Sequence, residues 1–288
     1  MADELKDPAN ALPTELFMRV LEMAEPEDVN QCLQVNRNWN NLIETNLRFL
    51  PRKKATAVKV LYLPLYNCVS VVVAVPIGLL SHETSAIIIH KDTAFVHLIR
   101  RYFPTSIEIS KKTAGIPDWY FKGIINVSLN FEVATDLLSY IKQANSMKTL
   151  EIAGRYKLHS YSQLFRNKYT PVIEIHGSGV NKLEMTGRDL RALTEAANQS
   201  GKPVDVFIFE RVLVDFNFTD FKNFMDMTSF TERVILRWEA LPTNPEEFVQ
   251  WMQDVVRQDE FRVNMTHQYV FNFRGSRFHL NFQRFCDN

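Results

Sequence analysis

Residues 12–43, LPTELFMRVLEMAEPEDVNQCLQVNRNWNNLI, place three short apolar segments in a stretch that contains no glycine. In the first segment the apolar side chains recur at helical spacing, and Pro13 stands where the first turn of a helix tolerates a missing N–H. A second helix is predicted to begin at Pro26, which two acidic residues follow, since acidic side chains complement the positive end of a helix dipole. A third helix is predicted around Trp39. The stretch therefore predicts a cluster of three short helices.

The predicted cluster has more apolar surface than three short segments hide among themselves. Helices of this length are marginal in isolation and need outside packing to persist. An exposed apolar patch usually marks an interface. The missing contacts are supplied either by the rest of the chain, as in a plain helical subdomain, or by a partner protein.

Four short motifs in this stretch resemble, in their order and spacing, those of the F-box family. They are L-P-x-E-L at the start, an aliphatic pair, a proline–acid turn and V-x-R-x-W at the end. The resemblance implies a three-helix F-box over residues 8–50 that docks on a Skp-type adaptor and, through it, on a cullin. The residues that it assigns to adaptor binding are Leu12, Pro13, Leu16, Val20, Leu21, Pro26, Val35 and Trp39.

The function that this resemblance implies is substrate recognition in a cullin-based E3 ubiquitin ligase. The domain after the F-box would then hold an unknown protein substrate. Such a subunit is not itself an enzyme, because the active-site residues belong to other subunits and tethering only raises the effective concentration of the substrate. The alternatives are an interaction scaffold whose F-box acts outside substrate ubiquitination, and an α/β enzyme with a helical lid at its N-terminus.

Charge is distributed unevenly along a chain that is neutral as a whole. Lys plus Arg and Asp plus Glu number 33 each, so no net field favours nucleic acid and no nucleic-acid partner is expected. Residues 1–50 hold nine acids against four bases, which leaves the remainder mildly basic. This asymmetry favours two modules, with residues 51–57 as a linker. The basic cluster Arg52, Lys53 and Lys54 in that linker would suit nuclear import or contact with an acidic partner, but three charges are more typical of a solvated linker.

Cysteine usage and hydropathy predict the compartment. Cys32, Cys68 and Cys286 are far apart and form no C-x-x-C pair, so neither a disulfide framework nor a cysteine zinc site is expected. Residues 1–10 are polar and acidic, unlike a signal peptide. The longest apolar run, 68–80, is too short for a membrane span. We therefore expect an intracellular protein, cytoplasmic or nuclear or both, without a membrane partner.

Residues 58–288 have a different sequence pattern, with short β-rich runs between segments of helical periodicity. Strands are predicted at 58–63, 70–75, 86–90, 106–110, 124–130, 148–154, 171–177, 204–214, 233–239 and 261–265, and helices at 93–103, 131–145, 186–201 and 244–256. From residue 86 onward the strands begin roughly 20 to 30 residues apart. This spacing predicts an α/β fold, an irregular strand–helix solenoid that is leucine-rich-repeat-like and has a parallel sheet. A single non-repeating α/β domain is the alternative.

Aromatic and polar residues alternate across residues 269–285, on either side of an Arg-Gly-Ser sequence. Alternation with a period of two around a glycine turn predicts a β-hairpin. At the end of a solenoid such a hairpin would cover the otherwise open edge of the sheet.

The sequence carries no recognisable catalytic constellation. The seven histidines form no H-x-x-x-H or H-E-x-x-H pair, and no G-x-S-x-G elbow is present. We therefore expect no catalytic residue, no cofactor and no metal. The arginines at 100–101 and Arg274, Arg277 and Arg284 leave room for a basic patch that would suit an acidic or phosphorylated substrate. The sequence does not locate the substrate-binding surface.

Overall fold

The computed structural model describes residues 12–76, 82–89, 94–110, 116–177, 183–256, 262–265 and 267–286. Three helices lie in the region predicted to be helical: α1 (Thr14–Met23), α2 (Pro26–Cys32) and α3 (Arg37–Asn46). We call residues 12–50 the head and the residues from Lys53 onward the body.

Local sequence signals set the ends of the head helices. Pro13 precedes α1 and Pro26 is the first residue of α2, where the missing N–H has no helical partner to lose. The side chain of Asn36 accepts a hydrogen bond of 2.9 Å from the backbone N–H of Trp39 and so caps α3. The head buries a small core, separate from that of the body, made of Phe17, Leu21, Val29, Leu33, Ile43, Leu47 and Leu50.

The body is a strand-rich α/β structure, as the sequence predicts. Its strands in the described residues are β1 (Lys53–Leu63), β2 (Cys68–Pro76), β3 (His82–Ile89), β4 (Tyr102–Ile109), β5 (Asn126–Asp136), β6 (Thr149–Lys157), β7 (Val172–His176), β8 (Met185–Thr186), β9 (Val204–Glu210), β10 (Val214–Asp215), β11 (Phe230–Pro242), β12 (Arg262–Met265), β13 (Gln268–Phe273) and β14 (Ser276–Cys286). Its helices there are α4 (Ala94–Ile99), α5 (Leu137–Ile141), α6 (Tyr161–Lys168), α7 (Gly187–Ser200), α8 (Phe218–Met227) and α9 (Pro245–Val255). No helix in the described residues is both long enough and apolar enough to span a membrane.

The described strands form one twelve-stranded sheet, in the order β12-β13-β14-β11-β9-β7-β6-β5-β4-β1-β2-β3, and a separate pair of β8 and β10. The middle of this sheet consists of β1, β4, β5, β6, β7, β9, β11 and β14. Each of these strands is parallel to its neighbours within this set, and their order in the sheet is their order in the chain. At the two ends of the sheet, β2 with β3 and β13 with β12 pair antiparallel. Sequential parallel order is what a strand–helix solenoid requires, and the leucine-rich-repeat-like character of the body stays a prediction.

The two faces of the sheet differ in chemistry. One face is apolar and buried, as Ile152 and Ile173 show, and helices pack against it. Phe221 of α8, for example, lies 5.8 Å between ring centroids from Trp238 of β11. The opposite face carries a mostly polar, mostly half-exposed row, one residue from each neighbouring strand: Lys59, Glu108, Ser128, Glu151, Glu174, Ile208, Arg237 and Asn281.

A buried carboxylate joins two helices of the body. Asp189, in the first turn of α7, accepts hydrogen bonds from the backbone N–H of Ser162 at 2.5 Å and of Thr186 at 2.8 Å. The hydroxyl groups of the same two residues donate to it as well. Thr186 and Asp189 therefore form a capping box at the start of α7, and the carboxylate of Asp189 also holds the start of α6.

Three predicted elements differ from the structure. The predicted linker 51–57 is largely strand, because β1 begins at Lys53 and pairs with β4 from there on. The predicted helix 131–145 is strand as far as Asp136, since β5 continues to pair with β6 there, and only Leu137–Ile141 is helical. Residues 86–89 of the predicted strand 86–90 lie at the edge of the sheet as part of β3, antiparallel to β2, and do not neighbour β4, whereas residue 90 lies outside the described residues.

The C-terminal hairpin is confirmed. Strands β13 and β14 pair antiparallel from Gln268 with Asn281 to Phe273 with Ser276. The two turn residues, Arg274 and Gly275, both have positive φ, at 52° and 84°. Positive φ at both central positions is the geometry of a tight hairpin turn that matches the twist of the strands.

Candidate partner-binding site

The exposed face of α1 is the main apolar surface of the head. Leu16, Val20 and Met23 lie at i, i+4 and i+7, the spacing that places side chains on one side of a helix. Their exposed fractions are 54%, 54% and 81%. Isolated exposed apolar side chains are ordinary, but a row on one helix face is typical of a binding surface.

The opposite face of α1 holds the head together. Phe17 and Leu21 are buried there, and the ring of Phe17 lies 4.3 Å between centroids from that of Trp39 on α3. Trp39 is half-buried and packs against the head core. The helix is therefore apolar on two sides, one that closes the head and one that is open to solvent.

The structure sorts the residues predicted to bind an adaptor into three groups. Exposed residues are Leu12, Pro13, Leu16, Val20 and Val35, and half-buried residues are Pro26 and Trp39. Leu21 differs from the others, because it is 1% exposed and belongs to the core of the head. In this structure Leu21 offers no surface to a partner and packs in the core of the head, behind the open face of α1.

Two exposed apolar residues of the head were not among the predicted contacts. Met23 continues the row of Leu16 and Val20, and its position seven residues after Leu16 was a readable signal. Phe49 is exposed just after α3, and no local pattern distinguishes it from a core aromatic residue.

Ion pairs tie the head to the body. The carboxylate of Glu44 on α3 lies 3.6 Å from Arg100 and 4.0 Å from Arg101, and Arg100 also donates a hydrogen bond of 2.9 Å to the Glu44 carbonyl oxygen. A second pair joins Glu27 and Lys53 at 3.3 Å. The acidic head therefore meets basic side chains of the body at this junction.

The arginines considered for a basic patch do not gather in one place. Arg100 and Arg101 face Glu44 near one end of the sheet, whereas Arg274 pairs with Asp226 at 3.0 Å near the other end. Four strands of the sheet, β5, β6, β7 and β9, separate β4 from β11 and the hairpin beside it. In the described residues no group of three or more His, Cys, Asp or Glu side chains could hold a metal ion.

Comparison with known proteins agrees with the geometry of the head. Residues 9–49 match the family described as F-box-like. No curated protein and no solved structure matches the chain. The chain therefore carries an F-box-like domain, formed by α1, α2 and α3, and the strand-rich body follows it. F-box domains bind Skp-type adaptors of ubiquitin ligases, and an adaptor-binding role of this general kind is the one that the domain supports.

Proposed function

We propose that this protein is a substrate-recognition subunit of a cullin-based ubiquitin ligase. The head binds a Skp-type adaptor through the open face of α1, and the body holds a protein substrate. The observation that carries the proposal is the row Leu16, Val20 and Met23, left exposed on a domain that matches the F-box-like family.

Burial of that row supplies the driving force for adaptor binding. A fully buried leucine or valine side chain contributes about 1.5–3 kcal/mol relative to an exposed one. Leu16 and Val20 are about half exposed in the free protein, so an adaptor that covers both gains roughly 2 kcal/mol from them alone. Leu12, Pro13 and Val35, also exposed, extend the apolar area that a partner would remove from water.

Such a subunit promotes ubiquitin transfer by holding the substrate close to the ubiquitin-carrying enzyme. A substrate held on the body and a ubiquitin-carrying enzyme recruited through the adaptor and the cullin react at a high effective concentration. The residues of this chain then need only to bind and to hold a fixed geometry. The Glu44 ion pairs with Arg100 and Arg101 serve that geometry, because they restrict how the head moves against the body.

The polar face of the sheet supports a binding role for the body. Sequential parallel strands present one side chain each in register, which gives a continuous surface of the kind that solenoids use for partners. On that surface Glu210 contacts Arg237 at 2.7 Å and His176 at 3.1 Å, and Lys59 contacts Glu108 at 2.7 Å. These pairs hold the polar row in place while it stays accessible to a partner.

Adaptor binding is tested with the double variant Leu16→Asp with Val20→Asp. Both side chains are exposed, so the variant keeps its fold and is expected to lose adaptor affinity by about a hundredfold or more, because two charges would be desolvated at an apolar interface. Leu213→Asp, at an equally exposed leucine of the body, is the matched control. Calorimetric titration with a purified Skp-type adaptor measures both, and equal affinity for the wild type and the double variant would reject the proposed interface.

Substrate binding is tested with the same double variant in cells. Because the variant keeps the body but loses the ligase, its bound substrates are expected to accumulate, whereas those of the wild type are degraded. Quantitative proteomics of both pull-downs, with and without inhibition of cullin ligases, identifies proteins that rise only when the ligase link is broken. A set of partners whose abundance is the same in all conditions would favour a scaffold without substrate turnover.

A further inference from the structure

A cleft of about 860 Å³ lies at the junction of head and body. Its walls include Arg48 and Phe49 at the end of the head, Arg52 just before β1, Phe103 on β4, and Trp119 with Lys122 in the turn before β5. The volume falls in the range of pockets that hold ligands or a few side chains of a peptide.

The charge of the cleft has one sign. Arg48, Arg52 and Lys122 line it, and the described residues that line it include no Asp or Glu. The acids of the head that lie nearest to the body, Glu27 and Glu44, are engaged with other cations. Among the side chains that the structure describes, the three cations of the cleft therefore have no carboxylate partner.

Arg52 is the best-placed of these cations. Its guanidinium carbon lies 4.9 Å from the ring centroid of Phe103 and 5.1 Å from that of Trp119, so the planar group is held between two aromatic walls. It donates one long hydrogen bond, 3.4 Å, to the carbonyl oxygen of Tyr102. A guanidinium has five N–H donors, and this one is oriented by its stacking, while most of its N–H groups meet no acceptor among the described residues.

The partly buried environment of Arg52 strengthens its interaction with an anion. Burial lowers the pKa of Arg52 from its usual range, and the nearby buried hydroxyl of Tyr120 has no hydrogen-bond partner in the described structure. A partly desolvated guanidinium gains more from a carboxylate than a fully hydrated one, because the local dielectric is lower.

Aromatic side chains give the cleft an apolar component. Phe49 and Phe103 are exposed. The ring of Trp119 lies near the guanidinium of Arg52 and also near that of Arg100, whose central carbon is 5.6 Å from the ring centroid. Gly123 closes the wall, since a Cβ built on it would lie 2.8 Å from the Phe103 ring. Cations and exposed aromatics together fit a peptide that carries acidic side chains and an apolar one.

We propose that this cleft binds an acidic peptide segment of a protein partner, with a carboxylate on Arg52 and an apolar side chain against Phe49 and Phe103. Identification of that partner as a ligase substrate rests on the proposed function, whereas binding itself does not. A nucleic acid also pairs cations with aromatic stacking. The balanced charge of the whole chain favours the peptide, as does the small number of cations, three, among the described residues that line the cleft.

The probe is the fluorescein-labelled peptide Gly-Glu-Asp-Glu-Leu-Glu-Asp-Gly, titrated with the full chain and followed by fluorescence anisotropy. Its counterpart with lysine at every acidic position and a labelled oligouridylate are measured beside it. The acidic peptide is expected to bind with an affinity that falls as salt is added, and the other two are expected not to bind. Equal or tighter binding of the lysine peptide or the oligouridylate would overturn the proposal, as would no binding of the acidic peptide up to about 1 mM.

Two variants locate the binding. Arg52→Met keeps an unbranched apolar stem without the guanidinium charge and is expected to weaken binding about tenfold or more, whereas Lys122→Met, at an exposed residue, is expected to weaken it a few-fold. If Arg52→Met disturbs the junction of head and body, Lys122→Met still tests whether the peptide binds in the cleft. Arg188→Met, at an exposed arginine of α7, is the control and leaves binding unchanged. Binding that neither cleft variant changes would place the peptide elsewhere.

Two further arms separate this proposal from its rivals. If the peptide binds only after residues 1–11 are removed, the cleft belongs to this chain's own acidic N-terminus and the partner proposal fails. The double variant Leu16→Asp with Val20→Asp is expected to bind the peptide as the wild type does. Loss of adaptor binding with retained peptide binding therefore tests the two sites independently, and failure of one leaves the other standing.

Discussion

Helices α1 and α8 have the same length and opposite surroundings. Each has ten residues. In α8 the chain itself covers four side chains, Phe218, Phe221, Phe224 and Met225, whereas in α1 it covers two, Phe17 and Leu21. The apolar row that α1 keeps in solvent has no counterpart of similar size on α8. Two helices of equal length thus differ in how much of their apolar surface the chain itself covers.

The cause of the difference is the surface on which each helix lies. α8 packs on a broad sheet, where Phe221 meets Trp238 and Phe224 meets Phe230 at 5.5 Å. Among the described residues α1 packs against two short helices, α2 and α3, so one of its faces stays open. A domain of this size gains little from its own core, and a partner that covers the open face adds what the core lacks.

The largest expected effect lies in α8. Phe221→Ala removes a fully buried ring that contacts Phe218, Trp238 and Trp251 and is expected to lower the free energy of unfolding of the body by about 3–5 kcal/mol. Val20→Ala on the open face of α1 is expected to change stability by about 0.5 kcal/mol or less. Urea unfolding followed by circular dichroism compares them, and similar losses for both variants would contradict the contrast between the helices.

The next effect separates the two faces of α1 itself. Leu21→Ala opens a cavity in the small core of the head and is expected to cost about 2–4 kcal/mol there, while Leu16→Ala leaves the stability of the head nearly unchanged. Amide hydrogen exchange of α1, α2 and α3 measures the stability of the head, and faster exchange is expected only in the Leu21→Ala variant. If Leu16→Ala reduced the protection of these amides as much as Leu21→Ala does, Leu16 would be a core residue.

A smaller effect is expected at the junction. Glu44→Gln removes the charge that Arg100 and Arg101 face and is expected to weaken the docking of the head on the body by about 1–2 kcal/mol, less than a fully buried pair because both arginines are partly solvated. Glu22→Gln, whose partner Arg19 lies 3.9 Å away on the surface, is the control. Limited proteolysis after residue 50 measures the docking, and the same cleavage rate in both variants would contradict this role.

The smallest effect depends on pH. The hydrogen bond from Arg237, together with that from His176, lowers the pKa of the Glu210 carboxylate below its usual value, although partial burial opposes the shift. A lowered pKa stabilises the folded protein above the pKa of an unfolded glutamate, about 4.3, and this stability is lost as pH falls through the folded value.

Glu210→Gln is therefore expected to destabilise the body at neutral pH and to converge with the wild type in acid. Urea unfolding measured from neutral to acidic pH tests this, with Glu184→Gln at an exposed position as the control. A difference between Glu210→Gln and the wild type that stays constant across that range would show that the carboxylate does not titrate with the predicted sign.

Local signals made much of the fold predictable. Proline at the starts of α1 and α2, the capping box of α7 and the turn at Arg274 and Gly275 act within a few residues of one another. Two helices that are not among the predicted ones start with the same kind of signal: Asn217 and Asp220 form a capping box at α8, and Ser160 caps α6. Both were therefore predictable from their local sequence.

The remaining errors have non-local causes. The stretch 131–136 has helical periodicity but is strand, because Thr135 and Asp136 pair with Tyr156 and Lys157 of β6. The burial of Leu21 depends on how α1 rotates against its neighbours, which spacing alone does not give. The cleft joins Arg52, Phe103 and Lys122, residues that are far apart in the chain, and only the parallel pairing of β1 with β4 brings Arg52 beside Phe103.

The central claim is that the open face of α1 binds a Skp-type adaptor. Hydrogen–deuterium exchange of the full chain, alone and with a saturating purified adaptor, tests it most directly. The amides of α1, from Thr14 to Met23, are expected to become protected, while those of β6 and β7 in the middle of the sheet stay unchanged. Protection confined to the body, or no change in α1 under saturating adaptor, would contradict the claim.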